Sequence, residues 1–161
     1  MKQTVKKITG VSLFAALITG IVFFFSGCTK DDAAVTVMYS ISGNANSSQT
    51  VPASSNSNGS GTIAGTYNSS TKVMTYTTTW SNLTGAPVSG GLYTGATGEA
   101  GSSIALWSLG TGLTATGNIS VTTTLNAQQV ASLLAGKCYY LLATSANASG
   151  EIRGQITATA Q

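Results

Sequence analysis

The chain has 161 residues, only 7% of them charged, and it contains no histidine. That excludes Ser-His-Asp and Cys-His catalysis and any imidazole metal site, and the length suffices for a single core. The formal charge of +3 comes from Lys2, Lys6 and Lys7; beyond them Lys30, Lys72, Lys137 and Arg153 balance Asp31, Asp32, Glu99 and Glu151. The pI near 9.0 therefore implies no nucleic-acid partner.

Residues 1–27 read as a targeting segment: three lysines, an uncharged apolar run from Ile8 to Phe25, then Ser26, Gly27 and Cys28. The ending resembles the lipobox of bacterial lipoproteins, in which small residues precede a cysteine that is diacylated and becomes the mature N-terminus. Phe25 departs from the leucine usual three places before it. An uncleaved membrane helix is the competing reading, since about 18 apolar residues can reach across a bilayer. The lipoprotein reading makes Cys28 the site of lipid attachment, with palmitate among the acyl chains, and the membrane the partner. Residues 28–33 are then a lipidated tether. Lys30, Asp31 and Asp32 resemble the acidic signal that sends lipoproteins of Bacteroidota to the outer face of the outer membrane; a plain solvated tether would look the same. The expected location is thus the cell envelope, at the outer membrane and, in such a host, the cell surface.

From Ala34 onward Thr, Ser, Gly and Ala dominate, with β-formers between them. Ala34–Ile41 predicts a first strand with Val35, Val37, Tyr39 and Ile41 on one face. Residues 44–61 read as a polar loop or an irregular edge. Residues 62–67 and 73–80 predict a hairpin around Asn68 and Thr71, with Met74, Tyr76 and Trp80 inward and Thr75, Thr77 and Thr79 outward. A turn at 82–85, a strand over 88–93, a glycine-rich loop over 95–101, and strands over 103–107 and 113–125 follow.

The clearest local signals lie near the C-terminus. Asn126 is an N-cap with Gln129 at the capping-box position, and Leu125 and Val130 occupy the staple positions. Val130, Leu133 and Leu134 form an apolar stripe, Gly136 suits a left-handed stop, and Lys137 suits the negative end of the helix dipole. Cys138–Thr144 reads as a central strand. In 150–157 the residues alternate, with Ile152, Gly154 and Ile156 opposite Glu151, Arg153 and Gln155. The fold class expected of residues 34–161 is all-β: an antiparallel, Greek-key-like β-sandwich of seven to eight strands with one short helix.

Four groups of residues stand out together: Gly43 with Gln49, Thr50, Val51 and Pro52; Tyr76 with Leu83, Thr84 and Gly85; residues 125–136; and the closing Gly150-Glu151-Ile152-Arg153-Gly154-Gln155. In these the chain resembles the CHRD domain, named after chordin, over about residues 35–158. The family commonly carries His-x-His after the Leu-x-Gly turn and another histidine before the closing hairpin. Those places fall near Gly91, Tyr93 and Ala143, so the metal role the resemblance would imply does not carry over, and no cofactor is expected.

Only Glu99 and Glu151 supply carboxylates beyond the tether, and Glu99 reads as a loop charge. Glu151 and Arg153, on one strand face, predict an ion pair or a turn-bracing contact. Cys138 reads as a buried hydrophobe, and Trp80, Trp107, Tyr139 and Tyr140 as core rather than a sugar platform. The expectation is a non-catalytic, lipid-anchored envelope module for binding, adhesion or structure. The alternative is a metal-handling or enzymatic accessory protein with a histidine-free site.

Overall fold

The computed structural model describes residues 35–53 and 57–161. The expected signal segment (residues 1–27), the expected lipid site Cys28 and the expected tether (28–33) lie outside the described residues. Among the described residues nine strands, β1 (Met38–Asn46), β2 (Ser60–Asn68), β3 (Val73–Ser81), β4 (Pro87–Thr94), β5 (Ser103–Leu106), β6 (Gly117–Thr124), β7 (Cys138–Thr144), β8 (Ile152–Gln155) and β9 (Thr157–Ala160), form one sheet, with one α-helix, α1 (Ala127–Leu134), before β7. The strand order is β5-β4-β7-β8-β1-β2-β3-β6, with β9 also on β1, and every pairing is antiparallel. The chain crosses from β3 to the far end of this order for β4 and β5, then returns beside β3 as β6. The sheet doubles back on itself: Trp107, just after β5, donates its indole N–H to the Tyr76 hydroxyl of β3 at 2.8 Å. The all-β expectation holds, with one continuous sheet supplying both layers.

The hairpin β2–β3 forms as the alternation dictates. Asn68 Oδ1 accepts from the Ser70 and Thr71 amides at 2.9 and 3.1 Å, which fixes the turn. Met74, Tyr76, Thr78 and Trp80 are buried, and Thr75, Thr77 and Thr79 stand in solvent. The outward hydroxyls meet across strands, Thr62 to Thr79 at 2.9 Å, Thr77 to Ser120 at 2.8 Å and Thr75 to Thr122 at 3.1 Å. The first strand starts later and runs further than its apolar residues suggest. Val35 is exposed and precedes β1, whereas Asn44–Asn46, read from sequence as loop or irregular edge, pair with Ser60–Thr62, and Ala45 is buried. A backbone ladder carries a polar strand when its inward positions are small enough to pack.

The helix is as the caps prescribe. Asn126 Oδ1 accepts from the Gln129 amide, Gln129 Oε1 accepts from the Asn126 amide, both at 2.9 Å, and Gly136 adopts φ 67° as the stop. Such a box is worth about 1 kcal/mol. Leu133 is buried, but Leu134 faces solvent, and Lys137 lies beyond the last turn. The C-terminal segment breaks at Ile156, whose amide bonds Cys138 O at 2.8 Å. Before it β8 pairs with β7; after it β9 pairs with β1. Among the described residues no helix is long and apolar enough to cross a membrane.

Candidate functional site

The signature hairpin places its two charges in separate anchorages. Glu151, read as ion-paired or turn-bracing, is a brace: its carboxylate is fully buried and accepts from Ser57 Oγ, the Thr84 amide and Thr84 Oγ1, each at 2.6 Å, and from Thr144 Oγ1. Burial pushes the Glu151 pKa up, but the hydrogen bonds from Ser57, Thr144 and Thr84 outweigh it and hold the group below its ordinary value. One carboxylate thus ties the loop after the 3-10 turn Ser47–Gln49, the turn after β3 and the end of β7 to the start of β8.

Arg153, two residues on, makes no ion pair with Glu151. Its guanidinium donates to the carbonyls of Gln49 (3.1 Å), Ala96 (2.8 Å) and Glu99 (3.0 Å), and to Gln155 Oε1 at 3.3 Å. It lies 3.9 Å over the Tyr139 ring, a cation–π contact, and only 2% of the residue is exposed. Burial pulls its pKa down, with Tyr139 acting the other way. The expected ion pair fails because the register aims the two side chains at different loops, each offering several partners. Gly154, directly after Arg153, is fixed by packing, since a Cβ there would meet Tyr140 Cε1 at 2.6 Å and Asn44 O at 2.7 Å.

Beside Arg153 the outer face of β4 and β7 carries a cleft of about 190 Å³, lined by Val51, Ser89, Tyr93, Glu99, Tyr139 and Arg153 among others. Tyr93 and Tyr139 stack across the strands, ring centres 5.3 Å apart and planes 13° from parallel. The histidine places of the family resemblance come together around this face: Gly91 pairs with Leu141, Tyr93 with Tyr139, and Ser89 with Ala143. In this chain they hold a bare backbone, a phenol and a methyl group. Among the described residues no three His, Cys, Asp or Glu side chains gather as metal ligands.

The remaining candidates are equally placed. Glu99 is exposed, and its carboxylate accepts from the Ala96 amide of its own turn at 3.3 Å. Glu151 is sealed elsewhere, so the two do not form a working carboxylate pair. Cys138 is buried, and burial pushes its thiol up to about 11, away from thiolate chemistry. Trp80, Trp107 and Tyr140 are core residues, as expected, whereas Tyr139, expected in the core, is buried on the outer face between Tyr93 and Arg153 and lines the cleft. A larger depression of about 460 Å³ on the β1–β2–β3 face is lined by Asn44, Ser60, Thr62, Thr79 and Ser81, with no ionisable group. Both hollows can hold a small polar molecule; in the smaller one Glu99 and Arg153 share the lining, with the Arg153 guanidinium engaged by loop carbonyls. Sequence reasoning missed Ser57, Thr84 and Thr144 as the Glu151 cage, because their convergence depends on contacts 94, 67 and 7 residues apart in the chain.

Compared with known proteins, the chain matches no curated protein and no solved structure. The family model for the CHRD domain matches residues 41–156, the stretch from the inward Ile41 of β1 to the break at Ile156 that contains both anchorages and the cleft, and the chain belongs to the CHRD domain family.

Proposed function

We propose that this CHRD domain is a non-catalytic contact module of the cell envelope, held to the outer membrane by a lipid on Cys28 and working by binding rather than turnover. The observation that carries the reading is the fate of Glu151. The one buried carboxylate of the described domain, in the family's own signature, is closed off by Ser57, Thr84 and Thr144 and serves to clamp loops together. Arg153 does the same work for the loops at Gln49 and at Ala96–Glu99. The rest of the domain presents uncharged hydroxyl faces and the Tyr93–Tyr139 cleft, surfaces suited to contact.

The anchor rests on the three lysines, the apolar run and Ser26-Gly27-Cys28. Metabolic labelling with radioactive palmitate tests it. The wild-type chain should take up label and appear in the envelope fraction, whereas Cys28→Ala should accumulate as an unlabelled precursor. Label retained by Cys28→Ala would refute lipid attachment at that residue. Native mass spectrometry of the domain before and after exposure to divalent metals tests the other half. A stoichiometric bound metal would overturn the contact-module reading in favour of a metal-handling one.

A further inference from the structure

We propose that β6 is a pairing edge, through which two copies of this chain join into one continuous antiparallel sheet. β6 ends the strand order, and among the described residues no backbone hydrogen bond reaches its open side. Exposed edges invite such pairing, and proteins usually guard them with charge, proline, bulges or brevity. The other end of the order is guarded: β5 is four residues long, and the pairing there shifts register between Leu92 and Tyr93. β6 has eight residues, Gly-Asn-Ile-Ser-Val-Thr-Thr-Thr, with no charge and no proline, and its register with β3 runs unbroken from Gly117 to Thr124.

The register also says which groups the edge offers. Leu125 donates to Lys72 O at 2.9 Å in the same alignment that sets Val73 opposite Thr124. In an antiparallel ladder this alternation directs the N–H and C=O of odd-numbered β6 residues to β3 and those of Asn118, Ser120, Thr122 and Thr124 outward. The short hydroxyl contacts of Ser120 and Thr122 to β3 agree, since side chains approach most closely at pairs without mutual backbone bonds.

A second copy fits this edge about a two-fold axis at Val121. Ser120 then faces Thr122 of the second copy, Asn118 faces its Thr124, and all four outward residues find backbone partners. On the outer face Ser120 meets a threonine hydroxyl and Asn118 meets another, extending the polar cross-strand rows. On the inner face Val121 meets its own counterpart and Ile119 meets Thr123, covering two residues that β6 leaves half-buried. In such an isologous pairing each residue i meets residue j and j meets i, and with no charge on either strand no like-charge contact opposes it.

The test is cysteine cross-linking of the full chain in cells. In the paired register the two copies of residue 121 form a pair without mutual backbone bonds, with Cα atoms about 4.5 Å apart, which suits a disulfide. On mild oxidation Val121→Cys should run at twice its mass on a non-reducing gel; the wild type and Ala64→Cys, exposed in mid-sheet, should not. Adding Ser120→Pro removes an outward N–H from each copy while sparing the β3 ladder, and should lower the cross-linked fraction by roughly thirtyfold, at about 1 kcal/mol for each of the two lost bonds. Ser120→Lys, which sets two lysines diagonally across the axis, should lower it likewise. Ser120→Cys combined with Thr122→Cys repeats the test from the exposed face, without touching a packed side chain. No cross-link in either cysteine variant, or cross-links undiminished by both Ser120→Pro and Ser120→Lys, would overturn the proposal.

Discussion

Replacing Glu151 by glutamine isolates the charge of the clamp while keeping its shape. Four donors converge on the carboxylate: Ser57 Oγ and the Thr84 amide on Oε1, Thr84 Oγ1 and Thr144 Oγ1 on Oε2. A glutamine can keep its oxygen at the first position and turn its amide toward the two threonine hydroxyls, which are able to accept. Hydrogen bonds to a charged group contribute about 1.5–3 kcal/mol against about 0.5–1.5 for neutral ones; the four bonds share one charge and do not add, so the exchange as a whole should cost about 1–2 kcal/mol. Glu151→Ala goes further, leaving Ser57 Oγ and the Thr84 amide without their acceptor at about 1–3 kcal/mol each. Against a whole-domain stability of about 5–15 kcal/mol, that loss is large. The charge carries a sign that pH can read. The folded carboxyl titrates below its ordinary value of 4.5, so its contribution is complete above that value and disappears as pH falls through the folded value. Urea unfolding of residues 33–161, one compact unit, should show Glu151→Gln with a midpoint lower by roughly 0.5–1 M at neutral pH. The gap should close as pH drops below 4.5. Equal midpoints at neutral pH, or a gap that stays constant through the acid range, would refute the account of the clamp as a charge-assisted cage.

Two further outcomes follow from the same hairpin and its neighbour. Arg153→Lys keeps the charge but gives up the planar fork that reaches Gln49 on one side and Ala96 and Glu99 on the other. Amide exchange over residues 96–101 should quicken by roughly tenfold while β7 stays protected, and unchanged exchange in that loop would remove Arg153 from the clamp. Cys138, buried and with its thiol pushed up to about 11, should resist iodoacetamide at mildly alkaline pH in the folded domain and react quickly in urea. Fast labelling of the folded protein would contradict its burial.

What the sequence made legible was whatever short range decides. The capping box of Asn126 and Gln129, the stop at Gly136, the turn at Asn68 and the alternation of Met74, Tyr76 and Trp80 each depend on neighbours a few residues away, and each stands where its pattern put it. The strand over Asn44–Asn46 was hidden because a polar segment pairs when its partner, here Ser60–Thr62, is already in place. The change of partner at Ile156 was hidden for a related reason: the alternation of 150–157 is unbroken through it, and only the competing edges of β7 and β1 decide where one ladder ends and the next begins. The separation of Glu151 from Arg153 belongs to the same class. Two opposite charges two residues apart predict each other, yet Thr84, Thr144 and Ser57 on one side and three loop carbonyls on the other offer more.

The change of partner at Ile156 has a mechanical meaning. β1 is clasped along its length by β2 on one flank and by β9 and then β8 on the other, and the last amide of the chain, Gln161, closes on Met38 O at 2.9 Å. A pull that enters the domain from its N-terminal side runs along β1, parallel to both ladders, and loads their hydrogen bonds together in shear instead of peeling them one by one. The first strand of the domain is therefore the one most resistant to being drawn out.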